Sequence, residues 1–259
     1  MYEMPKLEES LTRRGFMRGA ALAAAAVGVA GLAGCQSAGA AEGDATDGAS
    51  GGYVGQPQLT PYVEPRMIAI EDAQVQVKNV LVVVDFQVDF VDGSLGRNER
   101  AIGLQDAICD RIKQYQDNGD YVFYTMDTHP SENYSLTREG GRVDVHCVPG
   151  TEGWEVYGKV RDVLTPETAY MVKKGTYGSK YLPDALAALK NNNLVLGTIE
   201  LAGVSTSVCV FHNAVLLYNL FPECEIVMDK ATTAAKDEEK TDAALKQLEG
   251  WGVKVNWQG

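Results

Sequence analysis

The sequence feature that most constrains the fold is an uninterrupted apolar run of five residues at 80–84, VLVVV, which lies between Asn79 and Asp85. A run of this kind, rich in β-branched residues and without polar alternation, is typical of a strand buried on both faces of a parallel sheet. Further strand-like runs follow at residues 121–126, 169–173, 198–204, 225–229 and 253–255. Segments with helical spacing of apolar residues lie at 101–115, 154–164, 182–189, 207–220 and 238–248. This alternation predicts a single-domain α/β fold, a three-layer α/β/α arrangement with a mostly parallel, five- to six-stranded sheet.

The N-terminal segment has the features of an export signal rather than of a folded element. Paired arginines in TRRGF, residues 12–16, precede an Ala- and Gly-rich apolar stretch at residues 20–33 that is short for a transmembrane span. The arginine motif resembles a twin-arginine (Tat) signal, and LAGC, ending at Cys35, resembles a lipobox. We expect a signal peptide at residues 1–35, lipidation of Cys35, and an extracytoplasmic lipoprotein tethered to the bacterial cell membrane. The alternative is a plain anchor helix with an incidental cysteine.

Composition separates a linker from the domain that follows it. Residues 36–66 are rich in Gly, Ala, Ser, Asp and Pro, which is typical of a flexible tether, and residues 67–259 suit one domain. The formal net charge is −12, and no basic run occurs after the export signal, so a nucleic-acid partner is not expected. We expect a small-molecule partner, while the sequence leaves self-association into a homo-oligomer open.

Three reactive side chains follow predicted strands. Asp85 follows the first strand, Lys174 the third, and Cys209 lies in the turn after the fourth. The carboxyl ends of parallel strands meet at one edge of a sheet, so these side chains are expected to lie together. A nucleophile, a base and a cation are the set needed for acyl transfer from an amide. Taken singly, each has a structural alternative: a buried apolar cysteine, a hydrogen-bonding carboxylate and a solvated lysine.

The sequence around Cys209 and Asp85 leads to two further expectations. Cys209 is near the start of a predicted helix, where backbone N–H groups and the helix dipole are expected to lower the pKa of its thiol. Asp89 is expected to cap the turn that follows the first strand. The remaining thiols, Cys109, Cys147 and Cys224, are too few for a disulfide scaffold, although the sequence leaves one bridge open.

A second group of residues suggests a metal site. Asp127, His129 and His146 supply one carboxylate and two imidazoles, a set that suits a divalent cation and leaves coordination positions open. The structural alternative is that His129 shapes the turn before Pro130 and that His146 bonds a loop carbonyl.

Three ordered motifs resemble the isochorismatase-like hydrolase superfamily, over essentially the whole predicted domain. They are DFQVDF at residues 85–90, KG at 174–175 and GVSTSVCV at 203–210. The resemblance implies that Asp85, Lys174 and Cys209 form the catalytic triad of an amidase. It also implies a cis peptide bond before Ser205, with the N–H groups of Ser205 and Cys209 forming an oxyanion hole.

The motifs DTHP at residues 127–130 and HCVPGT at 146–151 are similar to those of nicotinamidases. This similarity implies that the carboxylate and imidazoles bind zinc, or alternatively iron or manganese, and that the metal holds a ring nitrogen of the substrate. The chain departs from the pattern at Thr128, Asn133 and Leu136, where nicotinamidases usually have Trp, His and Phe. These departures leave the exact substrate open, and Asn133 is still able to take part through its carbonyl or a water. His212, in the helix after the cysteine, is interpreted as structural.

The predicted function is that of a cysteine amidohydrolase, which releases ammonia from a small heteroaromatic amide such as nicotinamide through a thioester. One alternative is another amidase of the superfamily, acting on a carbamoyl or ureido compound. A vinyl-ether hydrolase of the isochorismatase type is a second, and it would not need Cys209. A tethered binding lipoprotein without turnover is the third.

Overall fold

A computed structural model describes residues 75–190 and 194–258 of the chain. The predicted signal peptide, the lipidation site Cys35 and the linker at 36–66 lie outside the described residues and stay predictions. Within the described ranges, no helix is long and apolar enough to cross a membrane.

The centre of the fold is one parallel sheet of six strands. These are β1 (Gln76–Val84), β2 (Tyr121–Asp127), β3 (Tyr170–Lys174), β4 (Leu194–Val204), β5 (Glu225–Ala234) and β6 (Lys254–Asn256). Their order in the sheet is β3-β2-β1-β4-β5-β6, and every neighbouring pair is parallel. Chain order therefore reverses between β1 and β4, and such a switch point opens a crevice at the carboxyl ends of the two strands.

Helices cover both faces of the sheet. They are α1 (Val88–Val91), α2 (Glu99–Ile102), α3 (Gln105–Asp117), α4 (Gly158–Val163), α5 (Leu182–Ala187), α6 (Phe211–Leu220) and α7 (Glu238–Glu249). Short 3₁₀ turns occupy Tyr134–Leu136 and Glu152–Trp154, and a π-helical turn, Thr206–Val210, precedes α6.

The alternation of side chains along β1 builds two apolar layers. Val82 and Val84 pack in the layer that contains α5, α6 and α7, whereas Leu81 and Val83 pack in the layer that contains α1 to α4. Residues 80–84 are fully buried. A strand buried on both faces needs apolar side chains at every position, so the predicted three-layer α/β/α fold with a parallel sheet is confirmed.

The predicted boundaries of two helices are wrong. The segment 101–115 is not one helix, because it divides into α2 and α3 around Gly103 and Leu104. The predicted helix at 154–164 begins only at Gly158, which has a positive φ of 55°. Residues 155–157 are instead held beside residues 86–88 by backbone hydrogen bonds from Val88 to Glu155 and from Tyr157 to Phe86. Pairing with a distant segment overrides the local helical pattern here.

A buried ion network ties α3 to the sheet. The Arg111 guanidinium lies 2.6 Å from a carboxylate oxygen of Glu200 on β4 and 2.9 Å from one of Asp229 on β5. The phenol of Tyr115 donates a second hydrogen bond to Glu200. Both carboxylates are almost fully buried.

We predict that Arg111→Met lowers the free energy of unfolding by roughly 3–5 kcal/mol, because it leaves two buried carboxylates without their cation. The matched control is Arg100→Met, since Arg100 pairs with Glu238 where both side chains are about half exposed. That substitution should cost at most about 1 kcal/mol. Urea unfolding measures both, and equal losses would contradict this reading of the network.

Candidate active site

Asp85, Lys174 and Cys209 lie together at the carboxyl edge of the sheet. Asp85 follows β1, Lys174 is the last residue of β3, and Cys209 lies in the π-helical turn after β4. The Lys174 ammonium nitrogen is 2.6 Å from Oδ2 of Asp85 and 3.7 Å from Sγ of Cys209. All three residues are buried. The arrangement brings the predicted nucleophile, base and cation into contact.

The Asp85 carboxylate is held on both sides. Its backbone is in the left-handed region with φ of 47°, uncommon for a non-glycine residue and frequent at functional sites. The Thr125 hydroxyl donates a 2.6 Å hydrogen bond to Oδ1, which leaves Oδ2 facing Lys174. Burial raises the pKa of Asp85, although the Lys174 ammonium opposes this effect. A buried carboxylate with a raised pKa is a stronger base than an exposed one.

Lys174 remains charged despite its burial. Burial alone disfavours the ammonium, but the neighbouring Asp85, Cys209 and Asp127 raise its pKa above the ordinary value for lysine. A fixed positive charge of this kind stabilises negative charge that forms on nearby atoms.

The expected lowering of the Cys209 thiol pKa is wrong for the resting protein. Burial raises the pKa of Cys209 well above its ordinary value, and the carboxylates of Asp85 and Asp127 add to this effect, while Lys174 opposes it. A position at the start of a helical turn does not outweigh complete burial beside two carboxylates. The resting side chain is therefore a thiol that must lose its proton to a base before it can act as a nucleophile.

A threonine pair holds the turn that carries the cysteine. The peptide bond between Val204 and Ser205 is cis, as the resemblance predicted. The Thr233 hydroxyl donates to the carbonyl of Gly203 at 3.0 Å, so its oxygen accepts from Thr206 at 2.9 Å. Sequence reasoning assigned no role to either threonine, because they belong to different β-α units and no motif joins them.

Gly203 is required by its surroundings. Its φ is 100°, and an added Cβ would lie 2.2 Å from the carbonyl oxygen of Val84. At Gly203, near the end of β4, the backbone therefore passes too close to β1 for any side chain.

The predicted metal ligands converge in a second cluster. Ligand atoms of Asp127, His129, His146 and Glu139 all lie within 4.8 Å of one another. The Glu139 carboxylate is 3.9 Å from Nε2 of each histidine. Glu139 was missed by sequence reasoning. Asn133, which was considered to take part through its carbonyl or a water, is exposed. A loop residue ten positions after His129 carries no spacing signal that distinguishes it from a solvated glutamate.

The polar atoms of this cluster fit a divalent cation. Nε2 of His129 and Nε2 of His146 are buried without a hydrogen-bond partner. The Asp127 carboxylate beside them is also buried, and its contacts are with Lys174 and His129. Nδ1 of His146 lies 2.9 Å from the carbonyl oxygen of Asp144, and the neutral tautomer that donates to this oxygen leaves the lone pair of Nε2 free for a cation. Buried nitrogen and oxygen atoms without partners are costly unless a cation binds them.

Asp127 joins the two clusters. Its Oδ2 is 3.1 Å from the Lys174 ammonium, and its Oδ1 is 3.3 Å from Nε2 of His129. Although burial opposes ionisation, Lys174 and His129 hold the pKa of Asp127 below its usual range. One ionised carboxylate therefore touches both the triad and the metal cluster.

Several predicted structural roles can be placed beside the site. Asp89 accepts hydrogen bonds from the backbone N–H groups of Ser94 and Cys147, so it fixes both its own turn and the loop after His146. His212 is exposed, and its Nδ1 donates to the carbonyl of Val208 one turn earlier. Among the described residues, the cysteines are all free thiols.

Two of the positions that depart from the nicotinamidase pattern, Thr128 and Leu136, have known surroundings in the structure. The side chain of Leu136 is 82% exposed. The hydroxyl of Thr128 accepts a hydrogen bond from the indole of Trp154. An aromatic side chain from elsewhere in the chain thus lies beside the position where nicotinamidases usually have Trp.

Comparisons with known proteins identify a family and several relatives of this chain. The family described as "Isochorismatase domain" matches residues 79–256. An "uncharacterized isochorismatase family protein PncA" of Bacillus subtilis (strain 168) is 31% identical over 177 residues, which cover 66% of this chain and 94% of that protein. The crystal structure of the nicotinamidase/pyrazinamidase PncA from Bacillus subtilis has a TM-score of 0.62 at 26% identity and covers 69% of this chain and 99% of that one. The crystal structure of the pyrazinamidase of Pyrococcus horikoshii in complex with zinc has a TM-score of 0.59 at 25% identity. The match covers 69% of this chain and 98% of that one.

We predict that the purified chain binds about one zinc ion and that His146→Ala removes most of it, because an imidazole ligand is lost. Glu139→Gln should also weaken zinc binding, because an amide oxygen replaces a charged carboxylate among the proposed ligands. Elemental analysis and competition with a chelator measure both effects. Cys209→Ala is the control and should leave the zinc content unchanged. Equal zinc content in all four proteins would contradict the assignment.

Proposed function

The chain belongs to the isochorismatase family, and we propose that it is a metal-assisted cysteine amidohydrolase acting on a small heteroaromatic amide such as nicotinamide. Amide hydrolases with nicotinamidase-like sequences are its relatives, so hydrolysis of a C–N bond is the reaction. The observation that carries the proposal is the single Lys174 ammonium in contact with Asp85, Cys209 and Asp127. This contact places a nucleophile, a base and a candidate ring-binding cluster within reach of one small molecule.

The first half of the reaction forms a thioester. Asp85 takes the proton of the Cys209 thiol, and Lys174 stabilises the resulting negative charge. The sulfur attacks the amide carbon, and the electron pair of the carbonyl moves to its oxygen, which the N–H groups of Ser205 and Cys209 hold. The intermediate then collapses, the C–N bond breaks, and ammonia leaves with the proton that Asp85 returns.

The second half releases the acid. Asp85 takes a proton from a water molecule, whose oxygen attacks the thioester carbon. The C–S bond breaks, and the sulfur regains its proton from Asp85. The raised pKa of Asp85 suits it to both proton transfers, because a base with a pKa nearer neutrality also works as an acid.

Zinc is the proposed metal, held by Asp127, His129, His146 and Glu139. Two imidazoles and two carboxylates suit zinc and are also compatible with iron or manganese. The zinc in the Pyrococcus horikoshii pyrazinamidase supports the first choice. When bound, the metal supplies a Lewis acid that orients a ring nitrogen of the substrate. Positioning of this kind is worth several kcal/mol, up to about 7–11 kcal/mol for ideally oriented groups.

The proposed location is outside the cytoplasm, on the membrane, through a lipid on Cys35. The arginine pair, the apolar stretch and the LAGC sequence, in this order and spacing, support the proposal. An exported amidase of this kind would scavenge amides at the cell surface. Cys35→Ala is expected to move the protein from the membrane fraction to the soluble extracytoplasmic fraction; unchanged membrane association would contradict lipid tethering.

We predict that the zinc-loaded chain releases ammonia from nicotinamide and that Cys209→Ala lowers the rate at least about a thousandfold, because the nucleophile is lost. Cys109→Ala is the matched control, since this free thiol lies in α3, remote from the triad, and its loss should leave the rate unchanged. A coupled ammonia assay measures the rate.

Other outcomes of this assay separate the alternatives. Ammonia release that persists in Cys209→Ala would contradict the cysteine mechanism. A protein with bound zinc and a reactive Cys209 that does not hydrolyse nicotinamide would indicate an amidase for another compound, such as a carbamoyl or ureido derivative. Absence of turnover, metal and a reactive thiol together would favour a tethered binding protein.

A further inference from the structure

A cavity of about 290 Å³ begins at the catalytic lysine. Its wall consists of Lys174, Gly175, Thr176, Lys180 and Tyr181. Lys174 also contacts the Cys209 sulfur at 3.7 Å, so the cavity and the proposed triad share this residue, whose side chain is buried. This volume is close to the lower end of the range for small-molecule pockets.

A buried asparagine fixes this wall relative to the nucleophile. Asn213, on α6, accepts a hydrogen bond from the backbone N–H of Ser179 at 2.9 Å. Its amide nitrogen donates to the carbonyl oxygens of Tyr177 and Cys209 at 3.2 and 2.8 Å. The Ser179 hydroxyl in turn accepts from the N–H of Tyr181. The loop that bears Lys180 is therefore attached to the turn that bears Cys209.

The wall carries one exposed positive charge, that of Lys180, which no carboxylate in the described part of the chain balances. Lys174 is neutralised by Asp85 and Asp127. Lys180 makes no ion pair with any residue that the structure describes, and its ammonium nitrogen lies 4.9 Å from the centre of the Tyr181 ring. The five lining residues include no carboxylate, although the chain as a whole has a formal charge of −12.

We propose that this cavity is the subsite for a carboxylate that the substrate carries in addition to its amide, with Lys180 as the residue that selects for it. The inference rests on the proposed function and sharpens its substrate class: acidic amides are preferred over nicotinamide. An ammonium group without a neighbouring carboxylate attracts an anion. When that anion is a carboxylate of the same molecule as the amide, the attraction strengthens binding of the substrate. The Tyr181 ring, beside the ammonium, offers an apolar surface for the carbon skeleton between the two groups.

The test compares nicotinamide with two of its ring-carboxylated analogues, 5-carbamoylpyridine-3-carboxylate and 5-carbamoylpyridine-2-carboxylate, and with succinamate. The zinc-loaded chain should hydrolyse at least one acidic amide with a kcat/KM about fivefold or more above that for nicotinamide, the effect of one partly exposed ion pair. Lys180→Gln should remove this preference through KM, whereas Lys180→Arg should keep it. Nicotinamide turnover should be the same in all three proteins.

Lys173→Gln is the matched control. Lys173 is the neighbour of Lys174 on β3, is exposed, and lies over Trp154 instead of lining the cavity. The same loss of charge at this position should leave the preference intact. A preference that Lys180→Gln does not change, or that Lys173→Gln removes equally, would overturn the inference.

Failure of the inference can be told apart from failure of the proposed function. Cysteine-dependent turnover of nicotinamide without preference for any acidic amide leaves the amidase standing and excludes the subsite. If no amide is hydrolysed, calorimetry on the zinc-loaded Cys209→Ala chain measures the affinity for each amide and so tests the subsite without turnover. Tighter binding of an acidic amide than of nicotinamide, lost when Lys180→Gln is added, supports the subsite, and equal binding rejects it.

Discussion

The Lys174 ammonium, buried between two carboxylates, is the interaction on which the rest of the site depends. Its nitrogen contacts Asp85 at 2.6 Å and Asp127 at 3.1 Å, where water is excluded. Without this cation, two buried carboxylates would face each other uncompensated, which costs several kcal/mol or forces one of them to take up a proton. The same charge keeps Asp127 ionised for a metal and Asp85 available as a base. Stability and proposed chemistry therefore rest on one contact.

The parallel sheet supplies the framework for this contact. Asp85, Asp127 and Lys174 come at or just after the ends of β1, β2 and β3, three adjacent strands whose carboxyl ends lie at one edge. Cys209 joins them from the other side of the switch point, because β4 lies next to β1. Apolar side chains on both faces of β1 fix the strand, so each side chain at its end has one position. A site with four contributing strands needs no flexible loop to assemble its triad.

How far the sequence predicts the structure depends on the range of the interaction. The strands are predicted well, since the continuous apolar run of β1 has one physical explanation, and the ends of β1, β3 and β4 point to Asp85, Lys174 and Cys209. Helix limits are predicted poorly where a distant segment competes, as when residues 155–157 pair beside residues 86–88. The thiol pKa of Cys209 was expected to fall because its helix is visible in the sequence, whereas the burial that raises it is not.

The sequence by itself determined the fold class and predicted the residues of the proposed triad and three of the four members of the candidate metal cluster. These follow from periodicity, from the ends of strands and from motifs that resemble those of the isochorismatase-like hydrolases. Only the tertiary structure decided that Glu139 completes the cluster, that Thr125 and Thr233 orient the site, and that Asp127 serves both halves of it. The physical reason is that these contacts join loops and strands far apart in the chain. Their geometry is set by packing of the whole sheet, and no local spacing records it.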